Sequence, residues 1–278
     1  MKKGIDEIIN LNKVYFGFRN RKCLKRSLSL DIKGVPYLLS KDDYKIVAKV
    51  IPIDKNSSDN NSDIEIKYLE FFNKNLKNFP NIPRLLTYYL GVDNKNKPIS
   101  SVLSKFNDSM RQLFQPQSNV MFCEYYDQGD IDNWSFISRR NILEWKSIII
   151  QVMTTLVVLQ DRYSFMHNDL HPGNVLITYT CSNFLEYPHR NINIYNPTRV
   201  LVKLWDFEFA NIHVPDLENP VKFNMGYNKE YDSKTFLIGL LDVPELPRTV
   251  HAWIKSLENF YPEKIIYNCF FEDLVIIA

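Results

Sequence analysis

The segment His167-Asn168-Asp169-Leu170-His171-Pro172-Gly173-Asn174-Val175-Leu176 sets a carboxylate and a carboxamide five positions apart. Thirty-two residues beyond Asn174, a second carboxylate stands in Lys203-Leu204-Trp205-Asp206-Phe207-Glu208. An Asp, an Asn and a second Asp in this order meet the needs of ATP-dependent phosphoryl transfer. One carboxylate orients an acceptor hydroxyl and takes its proton, while the other two side chains offer hard oxygens to magnesium. A polar turn capping a helix, followed by an ordinary strand end, would use the same residue types.

Such groups work only if surrounding elements hold them in register. Residues 141–161 form the clearest helix pattern, with Ile142, Trp145, Ile149, Val152, Met153, Leu156 and Leu159 on one stripe. Val175 to Ile177 and Val200 to Leu204 read as strands, the second leading into Asp206. Helices are expected over 232–242 and 247–260. Upstream, residues 45–53, 84–90 and 119–126 suit strands. A polar loop at 54–62 precedes a helix over 63–77, with Asp63 as its N-cap and Ile64, Tyr68, Phe71 and Phe72 on one side. Residues 93–118 and 178–199 read as polar insertions, the second as a solvated loop. The plan is α+β, with a β-rich first part, a helical second part and the chemistry where they meet.

The pattern His167-x-Asp169-Leu-x-Pro-x-Asn174, then a strand and Asp206-Phe207, resembles the catalytic core of the protein-kinase-like superfamily. The resemblance implies a two-lobed fold, with an N-lobe over 1–125 and a shortened, mainly helical C-lobe over 126–278. It places Asp169 on the catalytic base and Asn174 and Asp206 on the magnesium ligands. Val47-Ala48-Lys49 is similar to the family's V-A-I-K strand, which puts Ala48 and Lys49 at the nucleotide. A buried lysine needs an anion, and Glu65 and Glu70 on the next helix are the candidates, Glu65 preferred. Val120 to Asp130 resembles the family hinge, with Cys123 as gatekeeper, the Glu124 carbonyl and Tyr126 amide on the base, and Asp130 on the ribose. Leu176 falls on the floor of the base pocket, and His171 on the residue that reaches the γ-phosphate. His167 falls on a residue that packs beneath the loop. Asp232 matches the carboxylate that braces the loop, though a helix N-cap is an equal reading.

The chain also departs from that pattern. No G-x-G-x-x-G precedes Lys49, so phosphate cradling falls to another loop, with 34–43 the candidate. Glu208 replaces a glycine. Asn168 replaces the arginine that in the family pairs with an activation-loop phosphate, and no Ser or Thr lies between Phe207 and Asp232. These absences agree with each other and imply no Ser/Thr switch there. The A-P-E motif is missing. The D-L-H-P-x-N form of the loop is common among aminoglycoside- and choline-kinase-like enzymes.

Composition bounds the rest. The 34 basic and 32 acidic residues nearly cancel, so nucleic acid is not an expected partner. The four cysteines form no CxxC pair, which disfavours zinc or disulfides. The most apolar stretch, 148–159, is short for a membrane span and the first residues do not suit a signal peptide. The expectation is a cytoplasmic monomer using ATP and Mg2+ to phosphorylate Ser or Thr on a protein. The Asn- and Ile-rich chain resembles divergent kinases of large DNA viruses, which would place it in host cytoplasm or virion. A small-molecule kinase of the same fold and a pseudokinase binding module are the alternatives.

Overall fold

The computed structural model describes residues 15–16, 35–41, 44–53, 63–92, 118–137, 140–187, 192–215, 217, 219, 226–269 and 275–277. The chain divides into two compact units, Met1–Glu70 with Arg84–Tyr125, and Phe71–Pro83 with Tyr126–Ala278. Residues 71–83, placed by the sequence with the first part, group with the second.

The first unit is built on a five-stranded antiparallel sheet: β1 (Tyr15–Phe16), β2 (Val35–Lys41), β3 (Tyr44–Pro52), β4 (Leu85–Val92) and β5 (Ser118–Glu124). Its strand order is β1-β2-β3-β5-β4. Residues 35–41 are paired with β3 along their whole length. The 34–43 segment is therefore mostly strand, not the phosphate-holding loop expected from sequence. The pairing satisfies its backbone groups within the sheet and leaves few of them for an anion. Residues 93–117 of the first expected insertion lie outside the described residues, and Ser118 already opens β5. Helix α1 (Ile64–Asn75) follows β3. It buries Ile64, Ile66, Tyr68, Leu69 and Phe72, a wider face than the four-residue side read from sequence. Asp63 pairs with Lys67 one turn on, at 2.9 Å.

The second unit is organised around α3 (Ile142–Tyr163). Asn141 caps it: its side chain accepts from the Glu144 amide, and Glu144 accepts from the Asn141 amide, which satisfies two end donors at once. The helix ends at Ser164, whose left-handed backbone returns an N–H to the Gln160 carbonyl. At 22 residues, α3 is long and apolar enough to cross a membrane by length and composition, longer than the 148–159 stretch suggested. It is instead the core helix, with 78% of its most apolar window buried. Ile142 is the exception on the expected stripe, since it opens the helix and stays exposed.

Around α3 lie α2 (Ile131–Ile137), the antiparallel pair β6 (Val175–Tyr179) and β9 (Val200–Leu204), and α4 (Tyr231–Leu240), α5 (Arg248–Ser256) and α6 (Pro262–Cys269). The short helices α2 and α6 were not anticipated from sequence. The larger correction concerns 178–199. It contains the hairpin β7 (Phe184–Tyr187) and β8 (Ile192–Tyr195), extended by β10 (Val275–Ile277) into a three-stranded sheet. Leu185, Tyr187 and Ile194 are buried, so one face of the hairpin joins the core and the segment is not simply a solvated loop.

A buried polar cluster ties this hairpin down. The Asn81 amide donates to the Gln151 side chain at 3.1 Å and to the Val202 carbonyl at 2.9 Å. The Tyr187 hydroxyl donates to Asn81 Oδ1. Gln151 donates to Ser147 and to the Val200 carbonyl, and Ser147 donates to Asn196. Polar groups are retained in this core because each finds a partner.

Candidate active site

In the first unit, β3 fixes Lys49 opposite Met121 on β5 and Pro36 on β2. Its Nζ donates to Glu65 Oε2 on α1 at 2.6 Å, with both side chains buried. Glu70, the alternative partner, instead accepts from the Tyr88 hydroxyl at 3.1 Å near the surface. Ala48 is buried opposite Phe122. Cys123 is buried, and burial followed by the Glu65 charge pushes its thiol up, so it stays a neutral apolar filler. The Glu124 amide bonds to the Arg84 carbonyl at 3.2 Å, and its carboxylate meets the Arg84 guanidinium at the same distance.

In the second unit, the sequence-assigned loop and strand converge. Asn174 closes a short 3-10 turn, Pro172–Asn174, and its Nδ2 donates to the Asp169 carbonyl at 2.8 Å and to Asp169 Oδ2 at 3.3 Å. Its own carbonyl accepts from the Trp205 amide at 2.9 Å, which brings the loop beside Asp206. With Nδ2 engaged on Asp169, the Asn174 amide presents Oδ1 as the oxygen for a cation. Asp206 supplies a half-buried carboxylate on a left-handed backbone, φ 64°. An amide oxygen and a carboxylate fit magnesium, which keeps waters and takes further ligands from phosphates. Among the described residues no group of three or more His, Cys, Asp or Glu is arranged to hold a metal.

Asp169 is 44% exposed, open enough for an acceptor. His171 Nδ1 accepts from the Gly173 amide at 3.1 Å, so the neutral ring carries its proton on Nε2. That nitrogen lies 3.9 Å from Asp169 Oδ2. The geometry thus gives His171 a turn-capping task and a place beside Asp169, in addition to the γ-phosphate role expected from sequence.

His167 is fully buried and donates from Nε2 to the Trp205 carbonyl at 2.9 Å. Burial pushes its imidazole down to about 4, so it is neutral near pH 7 and serves as a structural bond. Asp232 settles the choice the sequence left open. It lies inside α4, after Tyr231, and its two oxygens accept from the His167 amide at 2.6 Å and the Asn168 amide at 2.9 Å. It braces the loop and is not an N-cap.

Leu176 is half-buried on β6, and its backbone bridges to Asp130. Asp130 Oδ1 accepts from the Asn133 amide and side chain, both at 2.8 Å, so this carboxylate caps α2. Burial raises its pKa, against the lowering by those bonds. Tyr126 is buried, with Lys203 Nζ 5.6 Å from its ring centroid. Two residues that sequence reasoning passed over shape this region. Lys203 gave no signal beyond a charge in an apolar strand; it also donates to the Ile82 carbonyl at 3.2 Å. Asn168 was noted only as a missing arginine.

The haspin-like kinase domain matches residues 5–232. The chain belongs to the haspin-like kinase family. The match takes in Lys49, Asp169, Asn174, Asp206 and Asp232 and leaves α5 and α6 beyond it. A protein of Acanthamoeba polyphaga mimivirus, named as a serine/threonine-protein kinase, is 26% identical over 159 residues, covering 51% of this chain and 31% of its own. A Dictyostelium discoideum protein of like name is 32% identical over 99 residues, 33% of this chain and 8% of its own. The chain therefore spans less than a third of either relative. Among solved structures, that of Rad53 1-466 in complex with AMP-PNP aligns with a TM-score of 0.39 at 17% identity, covering 70% of this chain and 38% of that one. The family match makes the described chain a haspin-like kinase domain, of α+β protein-kinase-like fold.

Proposed function

We propose that the chain is an ATP- and Mg2+-dependent protein kinase that phosphorylates Ser or Thr. The observation that carries this reading is the Asn174 amide bonded to Asp169 while the Trp205 amide holds the Asn174 carbonyl. That arrangement supports reading Asp169 as the base and Asn174 and Asp206 as magnesium ligands, a set that neutral scaffolding does not require. Asp169 accepts the proton as the acceptor oxygen bonds to the γ-phosphorus. The bond from that phosphorus to the β,γ-bridging oxygen breaks, and ADP leaves. Asn174 and Asp206 would hold magnesium, which when bound would neutralise phosphate charge. Lys49, oriented by Glu65, offers a cation to the α and β phosphates. Ala48, Glu124, Tyr126 and Leu176 are proposed to surround the base, Asp130 to meet the ribose and His171 to meet the γ-phosphate.

A small-molecule acceptor is the second reading, favoured by His171 beside the base in place of a lysine. Radiolabelled ATP with Mg2+, general protein substrates and a metabolite mixture distinguish the two. Label on protein that falls by about 10²-fold or more in Asp169→Asn supports the first. Label on a metabolite supports the second, and nucleotide binding without transfer would defeat both in favour of a binding module. Undiminished transfer in Asp206→Ala would remove the metal assignment.

A further inference from the structure

We propose that Asn168 is the positioning residue for Asp206, holding the far end of the turn that follows it. This rests on the reading of Asp206 as a magnesium ligand. Three consecutive residues grasp the segment around that carboxylate. Met166 exchanges two backbone hydrogen bonds with Asn211, at 2.9 and 2.7 Å. His167 Nε2 holds the Trp205 carbonyl, one residue before Asp206. Asn168 Nδ2 donates to the Phe209 carbonyl at 2.8 Å, three residues after it. Asp206 is therefore straddled by bonds from neighbouring side chains, and both of those residues are held by their amides on Asp232.

The residue type fits the task. Asn168 is buried and has φ 65°, a left-handed backbone that most side chains disfavour and asparagine tolerates. From that backbone a short amide reaches the Phe209 carbonyl, which closes the 3-10 turn Phe207–Phe209. Asp206 is itself left-handed, so a turn released from Phe209 has an easy way to relax. Packing secures the turn at one point: Phe207 is fully buried, 5.5 Å from Phe72 and 5.4 Å from His167 between ring centroids. The Asn168 bond secures its far end. The donor at this end is an uncharged amide, so this bond itself does not depend on a phosphate to balance it.

The informative variant is Asn168→Gly, which keeps a backbone at ease with positive φ and removes only the side chain. Asn168→Asp, which keeps size and loses the donor, is its companion. Two readouts are made: amide hydrogen exchange at Ala210 and Asn211 in the free protein, and the Mg2+ concentration for half-maximal phosphoryl transfer. The proposal expects both to rise about fivefold to tenfold, the factor that one buried hydrogen bond is worth, in protein that still unfolds cooperatively. Unchanged exchange and unchanged Mg2+ requirement in folded variants would overturn it. So would loss of folding in both, because Asn168 would then hold the whole unit and not one turn. If the wild type transfers no phosphate, the functional reading fails, while the exchange result still decides whether Asn168 fixes the turn.

Discussion

Asp232 and His167 are both fully buried and are joined by the His167 amide donating to Asp232 Oδ2. Burial raises Asp232 from 3.8 to about 6 and lowers His167 from 6.5 to about 4. For Asp232, folding favours the protonated acid, so its contribution is present below pH 4 and lost as pH rises through 6. For His167, folding favours the neutral ring, so its contribution is present above 6.5 and lost as pH falls through 4. Each amounts to about 3 kcal/mol, and they oppose each other across the same window. Asp232→Asn removes one side of that balance. Its stability, from denaturant unfolding across pH, is expected to fall about 3 kcal/mol further than wild type between pH 6.5 and 4. Parallel curves would contradict the assignment. The lysine partner is tested by a second pair of substitutions. Glu65→Gln strips a buried cation of its charge partner and should cost about 3 kcal/mol or more. Glu70→Gln, at the surface, should cost under about 1 kcal/mol in the same assay. That the loop of Asp169 and Asn174 meets the strand end before Asp206 was legible in the sequence, because both motifs flank short apolar strand patterns. The preference for Glu65 over Glu70 was also legible, and Lys49 does pair with Glu65. The roles of Asp232 and Asn168 were not, because they depend on which backbone amides and carbonyls return to the loop.

Among elements, α3 and β9 were the most readable, and the hairpin β7–β8 the least. Helix α3 announces itself by a long apolar stripe, whereas the hairpin mixes Asn and Tyr with short apolar runs. Its burial is visible only once Asn81, Gln151, Ser147 and Asn196 are seen to bond one another inside the unit. Each of these residues looks solvent-facing in a linear reading, and α1 gave less trouble because its apolar face is continuous. The hairpin's dependence on this cluster gives a direct test. Tyr187→Phe keeps the ring that packs 5.3 Å from Phe79 and removes only the hydroxyl bonded to Asn81 Oδ1. A buried acceptor left without its donor should cost about 1–3 kcal/mol, read as a lowered denaturant midpoint at unchanged slope. A midpoint equal to wild type would place Tyr187 in a site that water can reach. The missing glycine-rich segment belongs to the same lesson: strand β2 occupies 35–41, and residues 17–34, which precede it, lie outside the described residues.

For the molecule as a whole, two of the bonds around Asp206 come from the uncharged side chains of His167 and Asn168, and this bears on regulation. The segment from Phe207 to Asp232 has no Ser or Thr, so Tyr227 and Tyr231 are its only hydroxyls. Tyr227 is pushed up to about 12, by burial first and then by the charges of Asp161, Glu263 and Asp232. A phosphate there would bring up to about two negative charges toward three carboxylates. The neighbouring cation, Lys229, is already shared between Asp161 at 3.6 Å and Glu263 at 3.4 Å. Phosphorylation of Tyr227 would therefore meet repulsion where an activating switch needs a cationic partner, and Asn168 supplies none. Phosphatase treatment, Tyr227→Phe and Tyr231→Phe are accordingly expected to leave phosphoryl transfer unchanged. Phosphate mapped to either tyrosine, together with loss of transfer in the matching Phe variant, would show that a charge-balancing group lies in the segment and that the uncharged bonds around Asp206 are insufficient to hold it.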